Sequence, residues 1–137
     1  MNRSDALDRF FGSTVAVLAT VRASGSPHLV PVTFADIPDR IVTMVDHKPK
    51  TTTNLQRLAN IASGPRVALL AHEYSDDWAR LWWVRVDGLA AIHDEGAIWE
   101  EARAALVEKY HQYETTPPAG PAIVISIESV SYWESTL

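Results

Sequence analysis

Residues 46–55 read Asp46-His47-Lys48-Pro49-Lys50-Thr51-Thr52-Thr53-Asn54-Leu55, and the chain changes its periodicity there. Before them IVTMV reads as a strand. After them NLQRLANIA reads as a helix, with Leu55, Leu58, Ala59 and Ala62 on one face. A helix N-terminus leaves backbone N–H groups unpaired and carries partial positive charge. Lys48, Lys50 and the hydroxyls of Thr51, Thr52 and Thr53 add donors to that end, a set suited to a phosphate. Pro49 stiffens the approach. The plain alternative is that Thr52 or Thr53 caps the helix while the lysines solubilise a loop. The motif lacks the glycines of a Walker loop or a dinucleotide fingerprint, which argues against a nucleoside triphosphate.

Working outward, strands are expected over Thr14–Val21, Pro27–Phe34, Arg40–Asp46, Arg66–Ala71, Leu81–Gly88 and Ile123–Trp133. Pro31 belongs at a sheet edge or a bulge, because proline donates nothing to a ladder. Ser4 is expected to cap a helix running to Phe11. Ile98, Trp99, Ala102, Leu106 and Tyr110 keep helical spacing in a long helix opened by Asp94. Tight turns between most of the strands favour an antiparallel barrel over a doubly wound parallel sheet. The expected class is mainly β with peripheral helices (α+β), as one domain over residues 1–137.

The totals set the function classes aside one by one. A net charge of −5 argues against nucleic acid as a partner. No apolar run approaches the roughly 20 residues of a membrane span. With no cysteine, thiol nucleophiles and thiolate metal sites are excluded, and a cytoplasmic location is expected. His28, His47, His72, His93 and His111 show no HxH or HExxH spacing, so no metal site is expected. No G-x-S-x-G elbow surrounds Ser24 or Ser26, which argues against serine hydrolysis. Trp82 and Trp83 are adjacent on one strand and cannot both face inward. One of them must look toward a ligand, a partner subunit or water.

Three landmarks now stand in order: VLATVRASGSPHLVPVTF, DHKPKTTTNLQRLANIASGPRVALL and LWWVRVDGLAAI. With them the chain resembles the short pyridoxamine 5'-phosphate oxidase-like flavin and deazaflavin oxidoreductases. The resemblance implies an antiparallel, FMN-binding-like split β-barrel and a homodimer with the cofactor at the subunit interface. It places Lys48, Lys50, Thr51 and Thr52 at the cofactor phosphate. It also shows departures. His28 and Thr33 stand where the oxidase carries an arginine and a lysine, and Trp83 stands where it carries a glutamine. SYWESTL lacks the basic and histidine residues that hold the vitamin substrate. The pattern is therefore closer to the F420-dependent subgroup.

That resemblance implies hydride transfer from reduced F420 to a small unsaturated or carbonyl-conjugated acceptor. His28, Val30 and Pro31 would line the ring pocket, with Trp83 and Arg85 closing it. Arg85 has another reading, an ion pair with Asp87. The alternatives are an FMN flavoprotein of the same fold and a non-catalytic F420 or haem carrier. No residue is assigned a catalytic role.

Overall fold

The structure, a computed structural model, describes residues 1–46 and 54–137. The described strands are β1 (Ala16–Val21), β2 (Pro27–Val32), β3 (Ala35–Ile37), β4 (Arg40–Met44), β5 (Arg66–Glu73), β6 (Trp82–His93) and β7 (Ala122–Glu134). The helices are α1 (Arg3–Phe11), α2 (Asn54–Ser63) and α3 (Ala97–Lys109). The strands form one antiparallel sheet in the order β2-β1-β5-β6-β7-β4-β3. Its edge strands, β2 and β3, are joined only by Thr33 and Phe34. Three residues of chain reach at most about 11 Å, so the sheet must curl until its edges nearly meet. The result is the split β-barrel that the hairpins suggested.

Alternation sorts the side chains. Leu18, Val32, Phe34, Ile41, Leu69, Val84, Val86, Ile123 and Ile125 fill the barrel, joined by Ala6 and Phe10 of α1. Phe10 and Phe34 meet with ring centroids 4.7 Å apart. Burying each ring contributes about 2–3 kcal/mol. On the other face of β4, Val42 and Met44 pack with Val124 of β7 against Ala102, Leu106 and Tyr110 of α3. Both faces of β4 are thereby buried. α2 seats Ile61 in the core, and its Asn60 amide donates to Thr20 Oγ1 at 2.9 Å. α3 covers β3, β4 and part of β7, while α2 packs Leu58 and Ile61 against the barrel core.

Four expectations need correction. Asn2, not Ser4, caps α1: its Oδ1 accepts from Asp5 N at 2.9 Å, and the Asp5 carboxylate accepts from Asn2 N at 3.3 Å. That reciprocal capping box is worth more than a lone serine. α3 opens after Gly96 rather than at Asp94. Ala35–Ile37 forms a short strand that the tight turn at Pro38-Asp39 obscured; Asp39 takes φ 62° there, as the short polar residue tolerates. Finally, β6 does not stop at Gly88 but runs on to His93. A bulge between Asp87 and Gly88 keeps it paired with β7, and the backbone of Ser126 passes too close to Gly88 for a Cβ.

Candidate functional site

Strand register places one row of side chains after another on the outer face. Ala19 lies opposite Leu29 and Val17 opposite Pro31; Val17 is also opposite Leu70, and Ala19 opposite Ala68. Further across, Leu70 is opposite Arg85, and His72, Trp83 and Trp133 form one cross-strand row. Of these residues, all but Pro31 and Trp133 line a groove of about 630 Å³. Its floor is Val17, Ala19, Leu29, Ala68 and Leu70, and its walls are His72, Tyr74, Trp83 and Arg85. A flat apolar floor with aromatic walls suits a planar ring system.

The paired tryptophans divide as strand alternation requires. Trp82 packs on the barrel core under the Arg9 guanidinium, 5.3 Å from its ring centroid. Trp83 lines the groove, with the Arg85 guanidinium 5.8 Å from its ring. Arg85 also makes the ion pair with Asp87, Nε to Oδ2 at 3.3 Å, and donates to Ser131 Oγ at 3.2 Å. Both partners are exposed, so the pair holds the guanidinium in place more than it stabilises the fold.

A second, polar pocket of about 190 Å³ lies where β2, β4, α2 and the turn after α3 converge. Pro31, Thr33, Thr43, Asp46, Arg57 and Tyr113 are among its walls. Tyr113 Oη is 2.8 Å from Asp46 Oδ1 and 2.8 Å from Thr33 Oγ1. An ionised carboxylate only accepts, so the tyrosine donates to Asp46 and Thr33 donates to the tyrosine. Burial pushes the Tyr113 phenol up, and the Asp46 charge adds to that. Burial also holds the Arg57 guanidinium below its ordinary value, opposed by Asp46 and Tyr113.

The two spaces neighbour one another along β2: Leu29 lines the groove and Pro31, two positions on and of the same parity, lines the polar pocket. Of the residues expected at the site, Trp83 and Arg85 line the groove and Pro31 the polar pocket. Val30 points the other way, into the barrel packing. His28 shares its parity; its Nδ1 is buried without a hydrogen-bond partner among the described residues. Lys48, Lys50, Thr51 and Thr52 lie outside the described residues. Sequence reasoning left out Leu29, Leu70, His72, Tyr74, Asp46, Arg57 and Tyr113. No spacing could have joined them, since Tyr113 meets partners 67 and 80 positions away. Among the described residues, no group of three His, Cys, Asp or Glu side chains could hold a metal, and no helix is long and apolar enough to cross a membrane.

A curled antiparallel sheet with peripheral helices defines the split β-barrel of the pyridoxamine 5'-phosphate oxidase-like proteins. The chain belongs to the pyridoxamine 5'-phosphate oxidase family, whose model matches residues 4–134. No curated protein matches the sequence. A conserved hypothetical protein of Mycobacterium tuberculosis superposes with TM-score 0.77 at 23% identity, over 98% of this chain and 85% of its own. An FAD-binding protein of Mesorhizobium loti gives 0.73 at 18%, over 99% and 96%. The haem storage protein HutZ of Vibrio cholerae gives 0.71 at 14%, over 98% and 95%. At such identities the likeness is one of fold.

Proposed function

We propose that the chain is a homodimeric oxidoreductase that uses reduced F420 to reduce a small unsaturated or carbonyl-conjugated molecule. The observation that carries this reading is the apolar groove with a polar pocket beside it, Leu29 lining the first and Pro31 the second on the same face of β2. A planar ring with a polar, phosphate-ended tail has that same succession of chemistry. Asp46, in the pocket wall, precedes Lys48 and Lys50 in sequence by two and four positions. The lysines would hold the phosphate. Trp83 and Tyr74 would flank the ring, Arg85 would place a positive charge at its rim, and the apolar floor would keep water away. When bound, the cofactor supplies the hydride.

The dimer is supported by exposed apolar surface. Val15, Val21, Leu29, Tyr74 and Trp133 each expose 41–66% of their surface, an unusual concentration for a monomer. Sedimentation should give twice the mass of the chain.

FMN is the second reading, since its ring and tail have the same order. Trp83, in place of the oxidase's glutamine, is the departure that favours F420 over FMN. A non-catalytic carrier is the third, supported by the His72 imidazole in an apolar groove and by the haem-storing relative of like fold. Equilibrium binding of F420, FMN and haem, measured side by side with Lys50→Ala, separates the three. Removing one charged phosphate contact should weaken F420 about ten- to a hundred-fold. Unchanged affinity in the variant would refute the phosphate assignment, and preference for haem would favour the carrier.

A further inference from the structure

Arg3, Leu7 and Phe11 follow one another at intervals of four along α1, so they form a single stripe on the helix. That stripe is one wall of a cleft of about 360 Å³. The β3–β4 hairpin makes another wall with Asp36, Asp39 and Arg40, and Ile37 and Ile127 line the cleft as well. It shares no lining residue with the groove or the polar pocket. Its volume stands at the small end of ligand sites, which run from about 300 to 1,000 Å³.

The lining divides by chemistry. Leu7, Phe11 and Ile127 are half-buried and Ile37 is buried, an apolar surface for a small hydrocarbon group. Around it stand two guanidiniums and two carboxylates. None of the four pairs with another, since the ion pairs among the described residues lie elsewhere. Asp36 interacts with the Lys109 ammonium. The side chains of Arg3, Asp39 and Arg40 make no hydrogen bond or ion pair among the described residues. Asp39 also holds φ 62°, a conformation in which glycine is cheaper. Aspartate there brings a carboxylate that the cheaper residue would lack.

Balanced charges select a balanced ligand. An anion would gain from the arginines and lose to the aspartates, and a cation would do the reverse. A molecule with a carboxylate, an ammonium and an apolar group satisfies all three parts of the lining. We propose that this cleft binds a free α-amino acid with an apolar side chain. Arg3 and Arg40 receive its carboxylate, Asp39 its ammonium, and the apolar lining its side chain. The site is independent of the ring groove, so failure of the cofactor reading leaves it standing.

The probes are L-leucine and L-phenylalanine, with two truncated forms of leucine. One is 4-methylpentanoate, which lacks the ammonium; the other is 3-methylbutylamine, which lacks the carboxylate. NMR titration of the isotope-labelled protein reads both affinity and place. At least one of the two amino acids should shift the amides of α1 and the β3–β4 turn, and each truncated form should bind at least about tenfold more weakly than leucine. Asp39→Gly should unfold no earlier than the wild type, because glycine suits that turn, yet bind leucine at least about tenfold more weakly and 4-methylpentanoate unchanged. Arg40→Gln should weaken leucine and 4-methylpentanoate and leave 3-methylbutylamine unchanged. Absence of any shift at about 10 mM of either amino acid overturns the site. So do truncated forms that bind as tightly as leucine, or amino-acid affinities unaltered in both variants.

Discussion

Gly88→Ala should be among the most damaging single-methyl additions in this protein. Gly88 sits at the bulge of β6, opposite Ile127, in the longest strand pair of the sheet. A Cβ built there would lie 2.8 Å from Ile125 Cγ2 and overlap the Ser126 carbonyl oxygen. Ile125 is fully buried and cannot swing aside, and the carbonyl belongs to backbone. The strands must therefore separate locally. Overpacking costs typically 1–3 kcal/mol, and a backbone clash puts this one at the upper end, about 3 kcal/mol. For a chain of this length that lowers Tm by about 10 °C. Gly64→Ala is the control: its new methyl meets nothing within 4 Å, and its backbone is outside the positive-φ region. It should be neutral or stabilise by up to about 1 kcal/mol. Calorimetry or urea unfolding of both variants reads the difference. A Gly88→Ala protein within 1 kcal/mol of wild type would refute the close-approach account of the bulge. Because β6 also carries Trp83 and Arg85, the variant should weaken ring binding as well.

The Asn60–Thr20 bond ties α2 to β1 with both side chains buried. Thr20→Val should cost about 1–3 kcal/mol, because the Asn60 amide is left without its acceptor; adding Asn60→Leu should recover part of it, a non-additivity that a double-mutant cycle measures. Lys109 gives a pH dependence. Burial lowers its pKa from 10.5 to about 8, against the pull of Asp36. The folded state then releases the proton earlier than the unfolded chain, so stability should rise from pH 8 to about 10.5 and be flat below. Its contact with Phe34, Nζ 3.8 Å from the ring centroid, favours the charged form and keeps the effect small. Urea midpoints of the wild type and Lys109→Met across that range should diverge in slope; parallel curves would refute the assignment.

The sequence by itself determined much of the β framework. Alternation in IVISIESV and short β-type runs such as RVALLA, with glycine and proline turns between them, are enough for an antiparallel class, because strand propensity and period are local properties of the chain. It also placed Pro31 on an edge strand and showed that Trp82 and Trp83 must part. It failed at Ala35–Ile37, where three residues are too few to show a period, and at Gly88, where glycine marked a bulge rather than an end. Of the residues that line the two spaces, the sequence pointed to Pro31, Trp83 and Arg85, while the lysine-rich run after Asp46 lies outside the described residues. The groove and the polar pocket belong to the tertiary structure. Leu29, Leu70 and Trp83 share a face because of strand register, and Asp46 meets Tyr113 because α3 brings its end back over β4. Register and helix docking are set by which faces the whole chain can bury together, and no single segment carries that information.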